Sequence, residues 1–250
     1  MISPKRSADE LPGDPRRLNL EYRTWHFVGS AGDENGFDEW HVSVRSGRSA
    51  EIGSMKLFRL RMDERFSPFP FSDAQAYDTG LSNLVLGVYD LGRGGYRQEF
   101  RDAMTSCDGD LLVLFDIRLD PAWRGFGLGP VLAAEAVWTL ADGCCAVLAA
   151  THPTEFPDAP MGEAAYRRAA EKIAALWKDV GFRWRARPLG HLLDPRSGEA
   201  RDLRNERRGT STRSPTPGAP PGAADRRAPA HAVLTPRPLT RPPPGPAPRC

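Results

Sequence analysis

Long apolar runs are missing from this 250-residue chain, and no stretch approaches the ~18 consecutive apolar residues that a membrane-spanning helix needs. The opening MISPKRSADELPGD has no apolar segment and is not a signal peptide. Cysteines number four (Cys107, Cys144, Cys145 and Cys250), with no C-x-x-C pair, so neither a zinc ribbon nor a redox motif is supported. These absences point to a reduced, cytoplasmic protein. Lysine is scarce: only Lys5, Lys56, Lys172 and Lys178 interrupt an otherwise all-arginine basic set, as a GC-rich coding sequence would produce. No Gly-Lys-Ser or Gly-Lys-Thr is present, which excludes a P-loop. Internal repeats are absent too.

What is present is unevenly spread. Of the 24 prolines, 12 fall between Pro215 and Cys250, where Val233, Leu234 and Leu239 are almost the only large apolar residues. Ordering a chain costs about 1–2 kcal/mol of backbone entropy per residue. So little apolar surface cannot offset that, and residues 201–250 are expected to form a disordered Pro/Arg-rich tail. Within it, TPRPLTRPPPGP is compatible with a polyproline II ligand for an SH3-type partner, and its arginines with weak, salt-dependent nucleic-acid contact. A solvated extension is the simpler reading. The tail holds 10 arginines against 3 acids, a net +7; the whole chain is +2, so residues 1–200 carry −5. The basic pI therefore belongs to the tail, and no specific nucleic-acid-binding domain is indicated.

Residues 1–17 are polar and are read as a flexible N-terminus. From Leu18 the sequence turns strand-like: LNLEYRTWHFV, EWHVSVR and EIGSMKLFRLRM. In the second, Trp40, Val42 and Val44 alternate with His41, Ser43 and Arg45. In the third, Met55, Leu57 and Arg59 oppose Lys56, Phe58 and Leu60. The short Ser/Gly turn between these two predicts an antiparallel hairpin. Ser72 with Gln75 fits a capping box, predicting a helix that continues through LSNLVLGVYDL, breaks at GRGG and resumes in YRQEFRDAM.

The second half is more strongly patterned. Leu111–Ile117 reads as a buried strand, RLDPAWRGFGLG as a loop, and PVLAAEAVWTLAD as a helix with Pro130 at its first position. CCAVLAA is a second strand, with Cys144 and Cys145 on opposite faces. Thr151–Gly162 is a long loop. In the helix that follows, Tyr166, Ala169, Ala170, Ile173, Trp177 and Val180 share one face, and Gly181 ends it. RWRARPLGHLLD adds one or two strand segments. Strand, helix, strand at this spacing predicts an α/β (α+β) fold: a mixed central sheet flanked by helices, spanning residues 18–200.

RGFGLGP, between the strand and its helix, carries the chemistry. Glycines at a helix N-terminus leave unpaired N–H groups that suit an anion. The dinucleotide spacing G-x-G-x-x-G fails, because Pro130 stands where the third glycine belongs. The pattern Ile117-x-Leu119-x-Pro121-x-x-Arg124-Gly125-x-Gly127-x-Gly129 instead resembles the acyl-CoA motif of the GNAT superfamily of N-acetyltransferases. ALWKDVGF resembles the end of that family's C-terminal helix. Together they cover about a third of the chain.

The resemblance implies the following. The strand end at Ile117 and Leu119 would splay from its parallel neighbour and bond the pantetheine arm. Backbone N–H groups of Arg124, Gly125, Phe126, Gly127, Leu128 and Gly129 would hold the pyrophosphate. Acetyl-CoA would be the co-substrate, with no metal, and a primary amine would attack the thioester directly. The amine would belong to a small molecule or a protein; no membrane partner is implied, and a homodimer stays open. A non-catalytic acyl-CoA-binding sensor or interaction module is the alternative. Trp177 stands where the family often has a proton-donating tyrosine, and indole is not a practical acid. His152 and Glu155, just past the second strand, are the candidate bases; Asp116 lies beside the strand end. The family's acceptor lid has no counterpart before Glu39, and the helical material lies between Met62 and Leu111 instead.

Overall fold

A computed structural model describes residues 6–25, 36–47, 50–62, 74, 75, 77–150, 162–185 and 190–212. The three amino-terminal apolar runs form β1 (Leu18–Thr24), β2 (Phe37–Ser46) and β3 (Ala50–Leu60), paired antiparallel. The alternation holds. Val42, Val44, Met55 and Leu57 enter one buried cluster, while Phe58 and Leu60 enter a second on the opposite face.

Helix α1 (Thr79–Val88) is capped by Asp78, whose carboxylate accepts from the N–H groups of Gly80 (2.6 Å) and Leu81 (3.1 Å). Ser72, the cap expected from sequence, lies outside the described residues. The expected continuation through YDL is replaced by a hairpin, β4 (Tyr89–Asp90) with β5 (Gly95–Tyr96), whose turn is residues 91–94. Helix α2 (Gln98–Ala103) follows and buries Phe100.

Next come β6 (Asp110–Leu119), α3 (Leu128–Leu140), β7 (Cys144–Ala149), α4 (Glu163–Asp179), β8 (Arg183–Arg185), β9 (Gly190–Leu193) and α5 (Gly198–Thr212). The seven-stranded sheet has the order β1-β2-β3-β6-β7-β9-β8. Among the described residues only β6 and β7 run parallel. One cluster packs α3, Trp177 and Val180 of the α4 end, and Ala200 of α5 against the sheet. The other packs α1 and Phe100 against its back. The fold is thus the mixed sheet between two helical layers that the sequence predicts. Cys144 and Cys145 enter opposite clusters, as their adjacency in a strand requires.

Several boundaries differ from the sequence reading. Helix α3 begins at Leu128, so Pro130 is its third residue, not its first. Gly127 is the cap, and the absent proline N–H still falls in the first turn, where it breaks no helical bond. Tyr166 is 47% exposed although it lies on the apolar stripe of α4; Trp177 and Val180, at the other end, are buried. The stripe is continuous in sequence, but only its carboxy-terminal part meets α3 and the sheet.

The domain limits shift at both ends. Position 201 lies within α5, so the folded unit runs to Thr212. Ser197 caps this helix through Oγ, which accepts from the Ala200 N–H (3.2 Å), and the Arg204 guanidinium stacks 4.7 Å from the Trp138 ring. Its apolar face is only Ala200 and Leu203, too sparse to register as a period. Residues 213–250 lie outside the described residues. Residues 6–17, expected to be loose, form two 3-10 turns (Ala8–Glu10 and Pro15–Arg17), and Leu11 packs on the core. No helix among the described residues is long and apolar enough to cross a membrane.

Candidate functional site

The parallel ladder between β6 and β7 runs only from Asp110↔Cys144 to Leu114↔Ala149, closed by the Ala150 N–H donating to the Leu114 carbonyl at 3.0 Å. Beyond it β6 continues through Phe115–Leu119 with β3 as its one strand partner among the described residues. A β-bulge marks the transition. Leu57 faces Leu114 but Lys56 faces Asp116, so Phe115 is the extra residue.

The bulge resets which backbone groups point where. The Asp120 N–H donates to the Ile52 carbonyl (2.8 Å), making that a hydrogen-bonded pair. In an antiparallel ladder such pairs alternate. The backbones of Arg118 and Asp116 therefore turn to β3, and those of Ile117 and Leu119 turn to the open side. The Leu119 carbonyl accepts there from Arg124 Nε at 2.5 Å. Among the described residues no second strand pairs with the Ile117 N–H and C=O or the Leu119 N–H, which form a short, pre-extended edge.

The loop begins with a 3-10 turn, Pro121–Trp123, anchored by buried Trp123. The Arg124 N–H donates to the Pro121 carbonyl (3.3 Å), so it is not available to a ligand, unlike the reading from sequence. Gly125 (φ +87°) and Gly127 (φ +76°) occupy the left-handed region that favours glycine. Leu128 and Ile117 pack against the core, and Phe126 carries the Arg6 guanidinium 4.8 Å above its ring. The N–H groups of Leu128 and Gly129, in the first turn of α3, have no intrahelical acceptor by geometry. A Cβ placed on Gly127 would find nothing within 4 Å among the described residues, so the space over that position is open. The structure thus brings Ile117, Leu119, Arg124, Gly125, Phe126, Gly127, Leu128 and Gly129 into one strand edge, loop and helix start.

His152 and Glu155 lie outside the described residues. Trp177 is buried, and its indole N–H donates to the Ala150 carbonyl at 3.4 Å. It packs between the end of β7 and Phe182 (ring centroids 5.4 Å apart).

A polar cluster that local sequence patterning does not assemble lies on the β6 face that carries Phe115 and Asp116. His41, Lys56 and Asp116 are cross-strand neighbours on β2, β3 and β6. Glu39 gathers three donors: Tyr77 Oη (2.8 Å), His41 Nε2 (2.6 Å) and Lys56 Nζ (3.2 Å). Lys56 also donates to Tyr77 Oη at 2.9 Å. Burial alone would raise the Glu39 carboxyl pKa, but these hydrogen bonds and the Lys56 charge outweigh it and hold it below its ordinary value. Burial would lower the Lys56 ammonium, yet its bonds to Tyr77 and Glu39 raise it. Burial raises the Tyr77 phenol, so it stays protonated at neutral pH. The Tyr77 ring stands edge-on to Phe58 (4.9 Å), which in turn meets Phe115 (5.5 Å). Asp116 pairs through Oδ2 with Arg118 (2.8 Å), while its Oδ1 is buried and has no hydrogen-bond partner among the described residues. Strand register assembles Glu39, His41, Lys56 and Asp116, and the segment before α1 adds Tyr77; the sequence marks only Asp116, at a strand end.

Among the described residues, cavities elsewhere include one of about 280 Å³ between α2, β9 and α5 and one of about 580 Å³ beside Trp138, Cys144 and Arg204. Neither is lined by a residue of the loop. Among the described residues no group of three His, Cys, Asp or Glu side chains is placed to hold a metal ion. Comparisons with protein-family models, curated proteins and solved structures find no match to this chain.

Proposed function

We propose that the protein is an acyl-CoA-dependent N-acetyltransferase of GNAT type, transferring an acetyl group from acetyl-CoA to a primary amine of a small molecule or a protein. The observation that carries this reading is the sequence of an open β6 edge, a glycine loop and a helix start within Ile117–Gly129. An extended amide-rich arm pairs with a strand edge, and a diphosphate pairs with helix N–H groups; coenzyme A carries both at this order. The α3 dipole would add about 0.3–1 kcal/mol for an exposed anionic group.

In this reading the Ile117 backbone meets the pantetheine arm, and Gly125, Phe126, Gly127, Leu128 and Gly129 meet the diphosphate. A thioester carbonyl lying beside the bulge would be polarised by strand amides, an oxyanion-hole role. Asp116, at the bulge with one carboxylate oxygen unpaired, takes the proton released as the amine attacks. The acetyl carbon gains the C–N bond, the C–S bond breaks, and the thiolate leaves with its proton drawn from water or Tyr77.

A second reading is supported by one specific observation. The Trp177 indole is buried and committed to the Ala150 carbonyl, so the position that often carries the family's acid holds a packing residue. A non-catalytic acyl-CoA-binding module fits that fact. Thermal unfolding with millimolar acetyl-CoA tests the shared premise, since a ligand bound to the folded state alone must raise Tm. No shift removes both readings. A shift, followed by thiol release across a panel of amines, separates enzyme from module.

A further inference from the structure

The amino-terminal arm reaches the glycine loop from the far side of the sheet. β1 is an edge strand three positions from β6, about 14 Å away at ordinary strand spacing. Residues 6–17 bring the chain back across that distance. Gly13 lies on Trp123, where a Cβ would come within 3.3 Å of the indole. Arg6 then contacts the loop in three ways: its N–H donates to the Gly125 carbonyl (3.1 Å), its Nη1 donates to the Ala122 carbonyl (3.3 Å), and its guanidinium lies over Phe126. Glu10 holds the same guanidinium through Nε at 3.2 Å.

The fit is reciprocal. A Cβ on Gly125 would fall 3.2 Å from both Cγ and Cδ of Arg6, so glycine serves there for its φ and for the closeness of the arm. Between the anchors Trp123 and Leu128 the loop contains two glycines at positive φ. Such a segment loses much conformational freedom on binding unless the protein already holds it. Arg124 ties the inner side to Leu119, and Arg6 ties the outer side.

We propose that Arg6 is a positioning residue: the amino-terminal arm holds the 122–127 segment in its ligand-binding conformation and so raises affinity for the diphosphate of acyl-CoA. The inference rests on the acyl-CoA reading for its ligand but not for its mechanical part.

The test uses the full chain and Arg6→Ala, with amide hydrogen exchange of residues 125–129, titration with acetyl-CoA and the unfolding midpoint. Exchange in the loop should rise, with the sheet amides unchanged, and acetyl-CoA affinity should fall about fivefold, the size of one net hydrogen bond. Unchanged loop exchange overturns the proposal. So does unchanged affinity in a protein that binds acetyl-CoA. If the unaltered protein does not bind acetyl-CoA, the functional reading fails by itself, and loop exchange alone decides for or against the arm. If Arg6→Ala loosens the whole domain, Phe126→Leu removes the ring beneath the guanidinium while leaving the arm in place. A rise confined to the loop in that variant supports the proposal, and no rise overturns it.

Discussion

Replacing Gly127 by alanine separates a structural from a binding role for the loop. Gly127 sits at φ +76°, ψ 12°, and an L-residue in that region costs about 1–2 kcal/mol. No clash adds to this, because nothing lies within 4 Å of the new Cβ. For a domain of this size 1 kcal/mol corresponds to roughly 2–4 °C, so Tm should fall by about 2–8 °C. Gly47, in the turn after β2, is a matched control: it has φ +66° and likewise nothing within 4 Å. Gly47→Ala should cost the same Tm and leave ligand binding untouched. In Gly127→Ala the methyl projects over the open loop, and relief of strain turns the adjoining N–H groups away. Each charge-assisted bond lost is worth about 1.5–3 kcal/mol, or roughly tenfold or more in acetyl-CoA affinity. Differential scanning calorimetry gives the first quantity and isothermal titration the second. Equal Tm losses with wild-type affinity in Gly127→Ala would refute the placement of the ligand at this loop.

Other outcomes follow from other parts of the molecule. Asp116→Asn should leave acetyl-CoA affinity unchanged and lower turnover about a hundredfold or more in a thiol-release assay; full turnover would remove Asp116 as the proton acceptor. A chain ending at Thr212 should unfold at the same temperature as the full chain. One ending at Ser197 loses Ala200, Leu203 and the Arg204–Trp138 contact, about 2–4 kcal/mol or roughly 5–15 °C by calorimetry. His191 is 2% exposed, and burial pushes its imidazole below its usual pKa of 6.5. As pH falls below about 6.5 the unfolded chain takes up a proton that the folded one refuses, so stability is lost on acidification. Tm should decline between pH 7.5 and about 5.5, and His191→Gln should flatten that slope; an unaltered slope would assign it to another group.

Which parts of this were legible without coordinates depended on the range of the forces involved. The β2–β3 hairpin, β6, the loop, β7 and α4 announce themselves through local periodicity and glycine. A strand's alternation or a helix's stripe is written within about ten residues. The Trp177 packing role was legible for the same reason, since it continues the α4 stripe. Tyr166 lies on that stripe too, but periodicity shows which face is apolar, not how far the partner surface extends.

By itself, then, the sequence determined a mixed α/β sheet and a strand–glycine-loop–helix unit at Leu111–Leu140, because those features follow from backbone sterics and short-range burial. Tertiary structure alone decided that Phe115 bulges, that the Ile117 and Leu119 backbones face an open edge, and that Glu39, His41, Lys56, Tyr77 and Asp116 share one face. It also brought Arg6 onto a loop 116 residues further along the chain. Strand register and long-range docking are set by the closing of the whole sheet, and no local window contains the partners.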